Sequence, residues 1–333
     1  MDRRRLGRNG PEVSTIGLGA MGMSDLYGPA DEAESIATIH AAIDAGVTLI
    51  DTGDFYGSGH NELLIRDALR QRSREDVVIS VKFGTRRSPD GGFQAAPPDT
   101  DPVAIRDRLA FTLRRLGTDY VDIYRPSRLN PDVPIEETVG TIGELVQAGY
   151  VRHIGLSEVS ADTLRRASAV HPISDLQIEY SLLSRGIEAS ILPTARELGT
   201  GVTAYGVLSR GLLSGHWRPD RQLGGNDFRG MVPRFQGDNL RTNLELVDAL
   251  SRVAQSMDAT VAQVAIAWVA SRGPDVVPLV GARRRDRLDE SLAAASLTLS
   301  AQDLARIEAA IPAGSAAGDR YPTQHMANLD SER

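Results

Sequence analysis

The chain has 333 residues, is 41% hydrophobic, contains no cysteine and carries a net charge of −7, with a pI near 5.5. An acidic chain lacks the basic face of a general nucleic-acid binder, and without cysteine it forms neither disulfides nor thiolate metal sites. The charged start Met1–Arg5 leads into Gly, Asn and Pro with no apolar signal core, and no apolar run approaches the roughly 20 residues of a membrane span; a soluble cytoplasmic protein with no membrane or nucleic-acid partner is expected.

Residues 1–14, with Arg8-Asn9-Gly10 as the turn, read as a β-hairpin able to close the bottom of a barrel. From about residue 15 to 295 strand-like and helix-like segments alternate. The strand candidates are 15–19, 47–51, 77–82, 120–124, 153–157, 175–179, 202–205 and 276–280. Each is short, apolar and often β-branched, as parallel strands buried on both faces are. Asp31-Glu32-Ala33-Glu34 has capping-box form, Ile36, Ile39 and Ile43 follow at helical spacing, and Gly46 stops the helix. Pro134 suits a first helical position ahead of Ile135, Val139, Ile142 and Val146, and Val261, Val264 and Trp268 mark another helix.

Eight βα units with no Pro/Gly-rich linker predict an α/β chain with a single (β/α)8 TIM barrel over residues 1–333. The rival is a doubly wound sheet, for which Gly17-Leu18-Gly19-Ala20-Met21-Gly22 offers a lone dinucleotide-type spacing. Residues 84–100 read as a Gly/Pro-rich loop, and 209–240 as a long insertion with Trp217, Phe228 and Phe235. Such loops on a barrel's C-terminal face are usually functional, and the tail after Pro312 is expected over the same face.

The chemistry-bearing cluster is Asp51-Thr52-Gly53-Asp54-Phe55-Tyr56-Gly57 after the second strand, with Lys82 ending the third. A free tyrosine, with a pKa of about 10, is a poor acid near neutrality. A nearby ammonium lowers that value, and a carboxylate keeps the ammonium charged and oriented. The alternative is a buried Asp–Lys pair that merely closes the core, which is costly unless well hydrogen-bonded. The six histidines are scattered, and no metal site is suggested.

Together with Leu49–Gly57 and Lys82, the segments Val151–Ser157, Gln177–Leu182, Thr203–Gly206, Gly211–Gly215 and Pro278–Arg283 make the chain resemble the aldo-keto reductases over about residues 3–311, in the branch with bacterial reductases, pyridoxal reductases and potassium-channel β subunits. The resemblance implies a barrel binding NADPH/NADP+ across its C-terminal face and reducing a small-molecule carbonyl substrate to an alcohol. Asp51, Tyr56 and Lys82 match three members of the family's catalytic tetrad, with Tyr56 as proton donor. Ser127, in Tyr124-Arg125-Pro126-Ser127-Arg128, stands where the family usually has histidine. Its one short hydroxyl reaches less far and carries no charge, which implies altered substrate choice or a lower rate. Arg125 and Arg128 read either as substrate-holding cations or as solvated rim residues.

For the cofactor, the resemblance assigns Ser157 and Gln177 to the carboxamide and Tyr205 to the nicotinamide face. Gly206, Leu208, Arg210, Gly211 and Leu212 fall to the pyrophosphate. Gly281, Arg283 and Arg287 would take the 2′-phosphate, and Glu290 and Ser291 the adenine. Met21 and Asp51 join the cofactor contacts; Met23, Tyr27 and Phe55 are expected in an apolar substrate pocket. Two other functions stay open: an NADPH-occupied regulatory protein with weak catalysis, like the channel β subunits, and a dehydrogenase working mainly on alcohols.

Overall fold

The computed structural model describes residues 1–333 other than Asp25, Ala95, Pro219 and Asn226. An antiparallel hairpin, β1 (Arg3–Arg5) and β2 (Glu12–Ser14), precedes eight parallel strands. These are β3 (Gly17–Gly19), β4 (Leu49–Gly53), β5 (Val78–Phe83), β6 (Val121–Pro126), β7 (Val151–Ser157), β8 (Ile173–Glu179), β9 (Gly201–Tyr205) and β10 (Val276–Gly281). They pair in chain order and β10 closes onto β3, giving a closed barrel. The doubly wound alternative is therefore excluded. Gly17 serves barrel closure: a Cβ there would meet Leu49 at 2.9 Å and Leu279 at 3.0 Å.

The helices are α1 (Glu32–Asp44), α2 (His60–Leu69), α3 (Pro102–Leu116), α4 (Ile135–Gln147), α5 (Ala161–Val170) and α6 (Ile191–Leu198), then α7 (Gly237–Gln255), α8 (Val261–Ala270), α9 (Arg285–Leu292), α10 (Ala301–Ala310) and the short α11 (Thr323–Met326). The Asp31 carboxylate caps α1 by accepting from Glu34 N at 2.7 Å. Helix α7, inside the long segment between β9 and β10, was not apparent in the sequence because its start, Gly237-Asp238-Asn239, resembles a turn. Pro134 sits one residue before α4 rather than at its first position.

Strand alternation divides the barrel. Outward residues such as Ile79, Val81 and Phe83 on β5 join the large apolar layer under the helices. Inward, Leu49, Ile123, Val277 and Leu279 pack with Leu6 and Val13 of the hairpin segment and plug the lower end. Gly7, at φ 73, lets that segment approach: a Cβ would lie 2.4 Å from the Ser174 carbonyl oxygen.

One step toward the mouth the same strands turn polar. Arg125 is fully buried here, 2.5 Å from Asp175 Oδ2, and donates to Ser80 Oγ at 2.6 Å. Thr203 donates to Asp175 through both its amide (3.0 Å) and its hydroxyl (2.8 Å). Replacing Arg125 by Leu strands Asp175 in the interior, so urea unfolding should show a loss of about 3–5 kcal/mol, whereas Arg125→Leu with Asp175→Leu recovers most of it.

Candidate active site

Above that layer lie the acid, the ammonium and the phenol. Asp51 points inward from the middle of β4 and Lys82 inward from near the end of β5, and the parallel register sets Asp51 beside Ser80 and Gly53 beside Lys82. The Lys82 ammonium donates to Asp51 Oδ1, while Ser80 Oγ (3.0 Å) and Gln177 Nε2 (2.7 Å) donate to Oδ2. The carboxylate is thus bonded on both oxygens, as a buried charge requires. Lys82 is the only lysine in the chain; every other side-chain cation of fixed charge is arginine. A compact ammonium is tunable where a guanidinium is not. Burial draws Lys82 down to about 8, against the opposing pull of Asp51.

Tyr56 follows β4 in a tight turn, at the start of a short 3-10 segment in which Gly57 and Ser58 both take φ 54. Its ring lies 5.1 Å from Lys82 Nζ and edge-on to Phe55, at 4.8 Å between centroids. The expected lowering of the phenol by Lys82 is not what the site shows. Burial, and then Asp51, push Tyr56 well above its ordinary value, with Arg128 the leading group that draws it back. The phenol is therefore firmly protonated at neutral pH.

Ser127 lies at the mouth after β6. Its Oγ accepts from Thr85 Oγ1 at 2.7 Å, which leaves its own O–H to point elsewhere. Arg128 projects over the same rim, donating to the Ser127 carbonyl (2.6 Å), Ser157 Oγ (3.4 Å) and Tyr321 Oη (3.3 Å).

These groups open into a cleft of ≈ 780 Å³ whose lining includes Asp51, Tyr56, Lys82, Ser127, Arg128 and Gln177. Met21, Tyr27, Phe55, Tyr205, Gly206, Leu208, Arg210 and Gly211 also line it, as do Gly281, Arg283, Arg287, Glu290 and Ser291. Four expected site residues do not. Arg125 is sealed in the barrel interior by Asp175 and Ser80, so it holds no substrate. Met23 and Leu212 pack into the apolar layer, and Ser157 is buried behind Arg128.

A nicotinamide dinucleotide fits this cleft. Along its floor Ser209 (φ 45), Arg210 (φ 55) and Gly211 (φ 101) run left-handed in succession, a strained turn of the kind held at ligand sites. Ser209 Oγ and Arg210 Nη1 are buried there with no hydrogen-bond partner, so donors stand ready for a phosphate. Past β10, Arg284 pairs with Asp286, and Arg287 with Glu290. Arg283 instead donates to the carbonyls of Tyr27 (3.0 Å), Gly28 (3.2 Å) and Pro29 (3.0 Å), pinning the loop after β3. Among the described residues no group of side chains could hold a metal, and no helix is long and apolar enough to cross a membrane.

The C-terminal tail supplies what sequence reasoning missed. Arg320 is clamped between Glu158 (2.5 Å), Glu179 (3.3 Å) and Glu332 (2.7 Å), and carries Tyr321 onto Tyr205, with 2.9 Å between hydroxyls. Burial alone would raise Glu158, yet Arg320 brings it down to about 2. One sequence signal pointed this way: Glu158 directly follows β7 and Glu179 ends its neighbour β8, and two buried acids side by side require a cation between them. Arg320→Ala should free the tail, so that limited proteolysis within residues 313–333 accelerates by about tenfold or more while the barrel stays resistant.

Residues 15–312 match the aldo/keto reductase family. "Probable aldo-keto reductase 1" of Glycine max is 41% identical over 318 residues, covering 95% of this chain and 91% of that protein. Among solved structures, the glycerol dehydrogenase AKR11B4 of Gluconobacter oxydans superposes with a TM-score of 0.84 at 29% identity, covering 93% of this chain and 94% of that one. The holo form of AKR11C1 from Bacillus halodurans does so with a TM-score of 0.76 at 27% identity, covering 94% and 97%. The chain belongs to the aldo/keto reductase family, an oxidoreductase family acting on carbonyls with a nicotinamide cofactor.

Proposed function

We propose that this family member is an NADPH-dependent carbonyl reductase in which Tyr56 protonates the oxygen of an aldehyde or ketone. The observation that carries this is the Tyr56–Lys82–Asp51 group at the mouth of the barrel, opening on a cleft whose far end is rich in arginine. When bound, the cofactor supplies the hydride. Everything else falls to the chain. Tyr56 stays protonated until the carbonyl oxygen gains charge. Lys82 then stabilises the departing proton's phenolate, and Asp51 holds Lys82 in line. Ser127, accepting from Thr85, is free to donate its hydroxyl to the same oxygen. Tyr205 offers a ring face to the nicotinamide, and Gln177 serves its carboxamide.

For the 2′-phosphate, Arg287 and Arg284 are held in the cleft only by partners they can exchange, Glu290 and Asp286, while Arg283 braces the wall. A second reading, that alcohol oxidation predominates, draws on the glycerol dehydrogenase among its structural relatives. It demands the opposite pH trend, since oxidation needs a base.

Three outcomes test the reading. Tyr56→Phe should cut kcat for an aldehyde panel by roughly 10²–10⁴-fold while fluorescence titration still shows NADPH binding; unchanged turnover would refute the role. Lys82 is an ammonium below about 8 and loses its charge above it, so kcat/KM for reduction should fall as pH rises through 8, whereas a preference for oxidation would rise there. Arg287→Ala should weaken NADPH binding about tenfold, the worth of one charge-assisted contact of roughly 1.4 kcal/mol, and leave NADH binding unaltered.

A further inference from the structure

The arginines of the cleft are not alike. Arg210 pairs with Glu179 at 3.1 Å, Arg229 with Asp227 at 2.5 Å, and Arg284 and Arg287 with the acids beside them. Arg128 has no such partner: among the described residues no carboxylate forms an ion pair with it, and its bonds run to a carbonyl and two hydroxyls. They occupy only part of the guanidinium's donor fork.

Its position matters as much as its bonding. Arg128 follows β6, and the arginines Arg283, Arg284 and Arg287 follow β10. Along the closed order β10-β3-β4-β5-β6 these strands are four places apart in a ring of eight, and so face each other across the mouth. A dinucleotide whose phosphates lie at the β10 rim leaves Arg128 on the opposite rim, next to Ser127 and within electrostatic reach of both Tyr56 and Lys82. Tyr321, His325 and Asn328 of the tail line the cleft with it. Its guanidinium lies 5.9 Å from the Tyr321 ring centroid, and the His325 ring packs against Tyr321 at 6.4 Å. The apolar walls Phe55, Phe93 and Leu129 complete the space around Tyr56.

A half-buried cation with spare donors and no carboxylate in direct contact, its charge met at a distance by a Glu158 that Arg320 already clamps, fits an anion brought by the ligand. We infer that Arg128 is the anchor for an anionic group on the substrate, and that the preferred carbonyl compounds carry a carboxylate or phosphate a few bonds from the carbonyl. This rests on the reductase reading above. For a 2-oxo carboxylate the reaction balances simply: hydride from the reduced nicotinamide goes to the carbonyl carbon, the Tyr56 proton goes to the oxygen, and the carboxylate on Arg128 emerges unchanged beside a new secondary alcohol. Arg128 has the planar fork that pairs with carboxylate on two points, and the neutral Ser127 beside it leaves that charge to the substrate.

The test compares benzoylformate with its methyl ester, and glyceraldehyde 3-phosphate with glyceraldehyde, in wild type, Arg128→Met and Arg128→Lys. Wild type should favour at least one anion over its neutral counterpart by at least about tenfold in kcat/KM, a single ion-pair's worth. Which pair shows the preference tells carboxylate from phosphate. Arg128→Met should bring the ratio near one and Arg128→Lys restore part of it. Benzoate binding to the cofactor-free protein, followed by calorimetry, should weaken about tenfold in Arg128→Met, with folding checked by circular dichroism. Neutral carbonyls reduced as well as anionic ones, or a preference intact in Arg128→Met, overturns the anion anchor and leaves the reductase reading standing. If no carbonyl is reduced by wild type, the reductase reading fails, and the benzoate titration alone decides whether the anion site exists.

Discussion

The structure depends on the ion pair between Lys82 and Asp51, placed where a β-barrel interior would otherwise be apolar. Removing an ammonium and a carboxylate from water is costly, and their attraction offsets that cost only with good geometry and further hydrogen bonds. The barrel supplies both. Adjacent parallel strands set Lys82 one inward step above Asp51, within reach of its carboxylate, and Ser80 and Gln177 satisfy the carboxylate oxygen that Lys82 leaves free. Beneath them the Arg125–Asp175 pair extends the polar layer, so Ser80 links two buried ion pairs. The apolar plug of Leu6, Leu49, Ile123 and Leu279 then seals the base.

That arrangement explains the single lysine. Arginine serves wherever the chain needs a fixed charge, as in the Arg320 clamp and the cleft rim. At the one position where the proposed mechanism has the charge respond to a neighbouring proton, the chain keeps an ammonium. Desolvation acts on both reacting groups with opposite consequences. It lowers Lys82 toward neutrality and raises Tyr56 away from ionisation. The phenol is thus a retained proton rather than a ready acid, and under the proposed mechanism its release depends on charge that develops on a bound carbonyl oxygen.

Much of this was legible in the residues. The eight strands and their order follow from short apolar runs alternating with helical spacing, and Asp51, Tyr56 and Lys82 stand at strand ends, where barrel chemistry collects. The inward polar steps Ser80/Lys82 and Asp175/Gln177 are visible as alternation within β5 and β8. Other features were hidden because they depend on depth or on contacts distant in sequence. Arg125 and Arg128 are three residues apart and look interchangeable. Strand alternation sends the first into the core, while the second lies past the strand end on the rim. The union of Arg320 with Glu158 spans 162 positions and belongs to a tail with no periodicity to announce it.

The central claim is that burial and Asp51 together hold the Lys82 ammonium at a titratable value beside a protonated Tyr56. Because Lys82 is the only lysine, protein grown on lysine labelled with ¹³C at Cε gives one side-chain signal that needs no assignment. Following its shift with pH in the cofactor-free protein should show a titration centred near 8. A midpoint near the ordinary lysine value of about 10.4 would contradict the account, since it would mean an ammonium that burial does not tune.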